Sequence, residues 1–233
     1  MDKIGILCAG DDELAPFISL LQDAQLSEKA MLTFYQGSIE GVETVILYSG
    51  VCKVNAAIAA QILIDTYGCG AVINAGTAGA VAKERKIFDT VVANAEAYHD
   101  VEAEILTDFH PWLQDAFFQA DKGLLKLAEQ AVCQYNPPYP VVFGKMVTGE
   151  RFIDDEDKRR IAGAFHPMSV DMESASVAHV CYVNRIPFLA VRTMTDLAEG
   201  GAQALFEQNC RKAAAQSADF VRLMLKALRQ RRA

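Results

Sequence analysis

Short apolar runs and longer segments of helical periodicity follow one another along the chain. Residues 3–9 and 71–74 are almost continuously apolar, which is typical of short strands that are buried on both faces. In residues 53–66, by contrast, apolar side chains such as Val54 and Ile58 recur at helical spacing among polar ones. The pattern therefore predicts buried strands in the first two segments and a helix in the third.

The same reading predicts the other elements, with breaks at Gly37, Gly41 and Pro137. Strands are predicted at 3–9, 31–36, 42–48, 71–74, 90–97, 141–148 and 187–193, with a short one near Val170, and helices at 11–23, 53–66, 123–134, 173–184 and 204–229. Strands that alternate with helices imply a mostly parallel or mixed sheet covered on both faces, so the fold class is α/β. Without an internal repeat or a linker, residues 1–233 are predicted to form a single domain.

Composition narrows the class of protein further. The 233 residues contain 22 Lys+Arg against 30 Asp+Glu, and the net charge of −8 disfavours nucleic acid as a partner because its phosphates would be repelled. No apolar run approaches the roughly 20 residues that a membrane-spanning helix needs. The first apolar segment is too short for a secretion signal. We therefore expect a cytoplasmic protein that binds neither nucleic acid nor membrane.

The cysteines and histidines show no pattern that indicates a metal site. No CxxC pair, no HxxxH pair and no finger-like Cys/His spacing occurs. The cysteines are Cys8, Cys52, Cys69, Cys133, Cys181 and Cys210. We interpret them as small buried hydrophobes, with a nucleophilic Cys8 as the alternative. His179 is interpreted as a core residue and His99 as a structural one.

Polar and glycine-rich segments follow four of the predicted strands. They are residues 10–13, 74–79, 171–173 and 192–196. Because ligands in α/β sheets bind at the carboxyl ends of strands, these segments would meet in one pocket if the strand order allows it. Each also has a purely structural interpretation: acids at 11–13 suit a helix start, and Gly76 to Gly79 suits a tight turn. The residues alone indicate an α/β enzyme with a carboxylate-rich site.

Eight motifs occur in the order found in a known family. They are KIGI at 3–6, DE at 12–13, SGVCKVNA at 49–56, NAGTAG at 74–79, YHD at 98–100, GERFI at 149–153, DMESA at 171–175 and TD at 195–196. On the basis of these motifs, the chain resembles bacterial 5′-methylthioadenosine/S-adenosylhomocysteine nucleosidases of the purine nucleoside phosphorylase superfamily, and the resemblance covers residues 3 to about 228. The resemblance implies a nucleoside phosphorylase-like domain with a central mixed β-sheet flanked by helices on both faces. It also implies a homodimer that needs no cofactor and no metal.

The activity that the resemblance implies is hydrolysis of an N-ribosidic bond with release of adenine, a reaction of methionine salvage. Asp196 matches the general acid that would protonate adenine N7, which requires a carboxyl group that keeps its proton near neutral pH. Glu13 matches the residue that orients and deprotonates the attacking water. Glu173 matches the carboxylate that accepts hydrogen bonds from the ribose hydroxyls.

Other matched positions would bind the nucleoside. Phe152 would stack on adenine, the backbone at Ile153 would read its edge, and Met172 would pack beside the sugar. The polar groups near the water and the walls of the site would come from Thr77, Ala78, Gly79, Arg192 and Thr195.

The resemblance places the 5′ group of the nucleoside in an apolar pocket. Val51 and Phe206 match positions on the substrate's own side, and Leu106 matches a position that reaches across the dimer interface. The aromatic segment 107–120 does not align closely with the family. It is either core and dimer contact or lining of the substrate pocket.

Three positions depart from the family pattern. Gly10 stands where Met is frequent, Cys52 replaces a Gly, and Asp171 replaces a Glu. With Gly10 the pocket could accept a larger or different 5′ group, which keeps hydrolases of futalosine-type nucleosides as an alternative.

Two further alternatives come from outside this family. A purine nucleoside phosphorylase needs a cation, typically an Arg, in the first strand-end loop, whereas the acids at 11–13 would repel phosphate. A non-catalytic nucleoside-binding or storage protein would have no need for Glu13, Glu173 and Asp196 together.

Overall fold

The computed structural model describes residues 3–110 and 112–232 of the chain. Its strands are β1 (Lys3–Cys8), β2 (Gln22–Lys29), β3 (Leu32–Ile39), β4 (Val42–Tyr48), β5 (Ala71–Ala80), β6 (Thr90–Tyr98), β7 (Phe118–Gln119), β8 (Val141–Thr148), β9 (Ser169–Asp171) and β10 (Phe188–Asp196). Its helices are α1 (Asp11–Leu20), α2 (Lys53–Asp65), α3 (Ala103–Phe109), α4 (Lys122–Tyr135), α5 (Asp155–Phe165), α6 (Ser174–Asn184) and α7 (Ala202–Arg232).

These strands form one mixed sheet in the order β10-β6-β8-β9-β5-β1-β4-β3-β2, with β7 paired to β6. β1 pairs in parallel with β4 and β5, whereas β6 runs antiparallel to β10. The sheet curves until β10 contacts β5 as well as β6. The predicted α/β class with a central mixed sheet is confirmed.

Helices cover both faces of this sheet because side chains along the central strands alternate between two apolar cores. On β5, Ile73 belongs to the core that contains Phe220 of α7, together with residues of α1 and α4. The adjacent Val72 belongs to the core that contains Ala178 of α6 and residues of α2. Burial on both faces explains why these strands read as continuous apolar runs.

Capping residues in the local sequence determine where α4 begins and ends. Asp121 caps the helix by accepting hydrogen bonds from the N–H groups of Gly123 and Leu124, both at 2.9 Å. Asn136 ends it in the left-handed conformation with φ 43°, directly before Pro137. The predicted stop before Pro137 is confirmed.

The predicted helix over 11–23 is wrong in its last turn, and a strand was missed. α1 ends at Leu20, and β2 begins at Gln22. β2 lies at the edge of the sheet, pairs with β3 alone and is almost entirely exposed, so polar residues are tolerated along it. An exposed edge strand lacks the apolar alternation by which strands are recognised. The elements α3, α5 and β7 were also missed.

The glycine-rich segment 74–79 is a strand and not the tight turn that is its structural interpretation. β5 continues to Ala80, so the segment pairs with β10 over its whole length. A side chain at Gly76 would collide with Glu13, and a Cβ at Gly79 would lie 2.8 Å from Asp196 Oδ1. The glycines are therefore needed for the close approach of two carboxylates.

All six cysteines are free. Four are buried, as expected, but Cys52 is half-buried and Cys133 is exposed, so the interpretation as buried hydrophobes is wrong for these two. Within the described ranges, no helix is both long and apolar enough to cross a membrane.

Candidate active site

Four strand ends meet, as the sequence predicts, around one cavity of about 380 Å³. β5 lies between β1 and β9 and also pairs with β10, which brings residues 10–13, 74–79, 171–173 and 192–196 together. The cavity is lined by Ala9, Gly10, Asp11, Asp12, Glu13, Val51, Thr77, Ala78, Gly79, Arg151, Phe152, Ile153, Val170, Asp171, Met172, Glu173, Thr195, Asp196, Ala198, Ala202, Phe206 and Cys210. Its size suits a small organic ligand.

Glu13 lies in the first turn of α1, where its negative charge is favoured by the helix dipole. One of its oxygens, Oε1, accepts hydrogen bonds from the Thr77 N–H at 2.7 Å and from Thr77 Oγ1 at 2.8 Å. Oε2 accepts the N–H of Ala9 at 2.7 Å. Three donors fix the orientation of this buried carboxylate in the cavity.

Asp196 ends β10 on the opposite wall and is 3% exposed. Its Oδ2 accepts Thr195 Oγ1 at 2.8 Å, and its Oδ1 accepts the N–H of Ala198 at 2.8 Å. Burial raises the pKa of Asp196 and outweighs these hydrogen bonds, which act in the opposite direction. A carboxyl group of this kind can carry a proton into a reaction.

Glu173 directly precedes α6 and faces the same cavity. Its Oε1 accepts the N–H of Cys52 at 2.9 Å, and its Oε2 lies 3.3 Å from Arg192 Nη2. Burial raises the pKa of Glu173 to about 7, against the attraction of Arg192, which lowers it. Cys52 has φ 83° and ψ 162°, a backbone conformation that strongly favours glycine.

Arg192 lies behind the cavity wall and is fully buried. Its Nη2 donates to Asn74 Oδ1 at 2.6 Å, and its Nη1 lies 3.7 Å from Glu13 Oε1. Burial works against the charged guanidinium, but Asp171, Glu13 and then Glu173 raise the pKa of Arg192. This arginine therefore ties two carboxylates of the cavity to the strands beneath them.

Asp171 also holds this arrangement together. Its Oδ2 lies 3.1 Å from Arg192 Nε, and its Oδ1 accepts Thr148 Oγ1 at 2.6 Å. The N–H and hydroxyl groups of Ser174 donate to it as well. The shorter side chain at this departure from the family pattern thus keeps its contact with Arg192.

The remaining wall of the cavity is apolar. The rings of Phe152 and Phe206 meet edge to face, with centroids 5.8 Å apart. Val51, Ile153 and Met172 line the cavity with them. Flat apolar side chains on one side and carboxylates on the other suit a ligand with an aromatic ring and a polar hydroxylated part.

All the predicted site residues except Arg192 and Leu106 line this cavity. Arg192 acts from behind the wall, whereas Leu106 is 7% exposed and packs in the core of its own chain. Its neighbours on α3, Ile105 and Phe109, are the exposed ones. In the aromatic segment, Phe117 and Phe118 belong to apolar cores and Trp112 is exposed; the described residues of this segment do not line the cavity.

Several residues that build the site are not evident from the sequence. Asn74, within the glycine-rich motif, accepts from Arg192 and also donates from Nδ2 to the backbone oxygen of Leu7 at 2.8 Å. Cys210 and Ala202 of α7 line the cavity although nothing in their spacing indicates it. A buried asparagine inside an apolar strand is the one signal that could have been used.

The two histidines that the sequence singled out lie outside the cavity lining. His179 is half-buried, stacks on Phe118 and lies 3.3 Å from the Tyr98 hydroxyl. His99 is buried, and a side chain at Gly149 would collide with its ring. Burial lowers the pKa of both histidines.

Comparisons with known proteins agree on one family. The sequence model of the phosphorylase superfamily matches residues 3–226. The 5′-methylthioadenosine/S-adenosylhomocysteine nucleosidase of Staphylococcus haemolyticus is 33% identical over 97% of this chain and 100% of its own length. The nucleosidase of the same name from Neisseria meningitidis, solved with methylthio-immucillin-A, superposes with a TM-score of 0.91 at 29% identity, covering 97% of this chain and 100% of that one. The futalosine hydrolase of Helicobacter pylori superposes with a TM-score of 0.88 at 28% identity, covering 96% and 97%.

Proposed function

The chain belongs to the 5′-methylthioadenosine/S-adenosylhomocysteine nucleosidases of the phosphorylase superfamily, and on that premise we propose that it hydrolyses the N-ribosidic bond of these nucleosides and releases adenine. One observation supports this most directly: three carboxylates with different surroundings, Glu13, Glu173 and Asp196, face one largely apolar cavity. The reaction needs an acid for the leaving base, a base for the water, and an anion beside the sugar. Each of these carboxylates suits one of the three tasks.

Asp196 is the proton donor to adenine. Its raised pKa leaves it protonated at a higher pH than an ordinary aspartate, and its place at the cavity wall gives the proton a path to a bound base. Phe152 offers the aromatic face on which adenine would stack, while the backbone at Ile153 reads the edge of the ring. Protonation at N7 withdraws electrons from the N-ribosidic bond, so that bond breaks with neutral adenine as the leaving group.

Glu13 activates the water. Its oxygens are held by Thr77 and Ala9, which leaves the carboxylate fixed in the cavity rather than free to rotate. The water gives its proton to Glu13 as its oxygen attacks the anomeric carbon. Asp11 and Asp12 line the same part of the cavity, so a phosphate anion would be repelled there. Water is therefore the nucleophile.

Glu173 binds the sugar. Its carboxylate can accept hydrogen bonds from the ribose hydroxyls and stabilises the positive charge that develops on the sugar ring. Arg192 and the N–H of Cys52 hold it from behind. Met172 packs beside the sugar from the same wall.

The 5′ group of the nucleoside lies toward Val51 and Phe206 at the apolar end of the cavity. A Cβ on Gly10 would have no atom within 4 Å, so this position leaves the cavity open. That room accommodates the long substituent of S-adenosylhomocysteine as well as a methylthio group. It also supports a futalosine-type nucleoside as the second candidate substrate.

The enzyme acts as a homodimer. Large apolar side chains are exposed on α2, α3 and α6 and in the segments beside α2 and α3. They are Val51, Val54, Ile58, Ile105, Phe109, Trp112, Tyr182 and Val183. A cluster of this kind favours burial against a second copy. Ile105 and Phe109 are better placed than the buried Leu106 to reach the partner's cavity.

The proposal extends to a role in methionine salvage in the cytoplasm. Six free cysteines suit a reducing compartment. The net charge of −8 supports the absence of a nucleic-acid partner.

A substrate panel tests the proposal. The protein is incubated with methylthioadenosine, S-adenosylhomocysteine, adenosine, inosine and an aminodeoxyfutalosine-type nucleoside, and free base is measured. Adenine release from the first two is expected. Preferred cleavage of the futalosine-type nucleoside would assign the second candidate, and absence of cleavage would contradict an enzymatic role.

A further inference from the structure

Glu96 is a buried carboxylic acid that has no part in the reaction as described above. It lies on β6, is 1% exposed, and has Met146 of β8 and Phe118 of β7 as its register partners. Among residues 3–110 and 112–232, neither of its oxygens has a hydrogen-bond partner. A buried polar group without a partner is costly, and a buried charge without one is far more so.

Arg192 is surrounded by more carboxylates than its single positive charge can balance. Three carboxylates lie close to its guanidinium: Asp171 at 3.1 Å, Glu173 at 3.3 Å and Glu13 at 3.7 Å. Glu96 does not contact this guanidinium, but its negative charge would act on it as that of a fourth carboxylate. Four ionised carboxylates around this guanidinium would leave net negative charge among groups that are almost fully buried, which favours a proton on part of the cluster.

Glu96 differs from the other three carboxyl groups in its hydrogen bonding. Asp171, Glu13 and Glu173 each accept hydrogen bonds from at least two donors. Glu96 accepts none from the described residues. Burial raises the pKa of Glu96 well above its ordinary value, Asp171 raises it further, and Arg192 opposes them.

The other groups around Glu96 do not change this balance. Besides Asp171 on β9 and Arg192 on β10, the titratable groups that interact with it are Cys181 on α6 and Tyr98 on β6. Burial raises the pKa of the Cys181 thiol and of the Tyr98 hydroxyl, so both are neutral near pH 7. β7 and β8 contribute apolar side chains.

We propose that Glu96 is a positioning residue: it stays protonated while the enzyme works, and its neutrality leaves the guanidinium of Arg192 to hold Glu13 and Glu173. When Glu96 loses its proton, a fourth anion competes for Arg192 inside the sheet. The contacts of Arg192 with the two cavity carboxylates then weaken, and activity falls. Only this catalytic consequence rests on the proposed function, since the protonation of Glu96 concerns the folded chain itself.

Urea unfolding at a series of pH values measures whether Glu96 holds a proton in the folded protein. Glu96 has a raised folded pKa, so its stabilising contribution is complete below its unfolded pKa of about 4.3 and declines as pH rises toward the folded value. Glu96→Gln has no such titration. Above about pH 5, the folding equilibrium constant of the wild type relative to Glu96→Gln is expected to fall about tenfold per pH unit until the pH reaches the folded pKa of Glu96.

A second replacement of Glu96 and a control variant accompany the comparison of the wild type with Glu96→Gln. Glu96→Leu fills the site with an apolar side chain and should give the same slope against the wild type, even if the buried amide of Glu96→Gln prevents folding. Glu28→Gln, on the exposed edge strand β2, makes the same chemical change away from the cluster. The folding equilibrium constant of the wild type relative to Glu28→Gln should not show that slope. If the constants relative to both Glu96 variants do not change with pH, the proposal is overturned.

The pH profile of kcat/KM tests the positioning role. The wild type should lose kcat/KM on the alkaline side in two steps, one as Asp196 and one as Glu96 loses its proton, whereas Glu96→Gln and Glu96→Leu should keep the Asp196 step and lack the other. A wild-type profile without the Glu96 step before unfolding, or both steps in the Glu96 variants, contradicts the role. The expected unfolding slope in a protein that cleaves no nucleoside would refute the proposed function and leave the protonation of Glu96 intact.

Discussion

Thr77 donates two hydrogen bonds to a single oxygen of Glu13, from its backbone N–H at 2.7 Å and from its hydroxyl at 2.8 Å. The N–H of Ala9 holds the other oxygen at 2.7 Å. The ends of β1 and β5 therefore fix the carboxylate plane largely with backbone groups. Such preorganisation is what a general base requires, because the water must meet a lone pair in a defined direction.

Thr77→Val removes the hydroxyl bond to Glu13 and keeps the shape of the side chain. A hydrogen bond to a charged group contributes about 1.5–3 kcal/mol, so kcat/KM should fall about 10- to 100-fold. Thr77→Ser, which restores the hydroxyl, should recover most of the activity. Steady-state kinetics of both variants check this, and wild-type values for Thr77→Val would show that the hydroxyl does not orient Glu13.

Gly76→Ala should nearly abolish activity although it adds only one methyl group. The new Cβ would collide with the carboxylate of Glu13, which must then leave its three donors. Gly163→Ala is the matched control, because a Cβ at this position in α5 meets no atom within 4 Å and an alanine suits a helix better. Kinetics and thermal unfolding of both variants separate the two effects. Activity of Gly76→Ala equal to that of Gly163→Ala would contradict the close approach.

Asp196→Asn should lower kcat by about 10²- to 10⁴-fold while the protein stays folded, because an amide cannot deliver the proton. Asparagine can still accept the N–H of Ala198, so circular dichroism and the Tm should change little. Because the acid must be protonated and its folded pKa is raised, wild-type activity should persist above the usual range of an aspartic acid and fall as pH passes the folded pKa of Asp196. A variant with wild-type turnover would refute the role of proton donor.

Arg192→Met should destabilise the fold by about 3–5 kcal/mol, because it leaves buried carboxylates without their cation. The loss should be smaller below about pH 7, where Glu173 takes up a proton. Arg222→Met breaks a partly exposed pair with Glu40 and should cost about 0–1 kcal/mol. Urea unfolding at two pH values measures both, and equal losses would show that the buried cluster is not held by Arg192.

The sequence is informative where burial and chemistry coincide. β1, β5 and β10 read as apolar runs because helices cover both faces of the sheet, and the polar segments at their ends gave the site. The edge strand β2 cannot be predicted in this way, because its exposed residues need not alternate between apolar and polar. The glycine-rich segment was open to two interpretations because the collision with Glu13 appears only once the fold is known.

The least predictable residues are those whose role depends on distant neighbours. Leu106 matched a family position by sequence, but the local helix turns it into the core and exposes Ile105 instead. Glu96 reads as a single acid in an apolar strand. Its significance arises from Arg192 and Asp171, which come from two other strands of the curved sheet.

Adenine release from methylthioadenosine, followed in buffer without phosphate and again with phosphate added, tests the central claim most directly. The account predicts release without phosphate, at a rate that added phosphate does not raise, with free methylthioribose as the second product. Cleavage that requires phosphate and yields the sugar 1-phosphate would contradict water as the nucleophile, and absence of adenine under both conditions would contradict the nucleosidase activity itself.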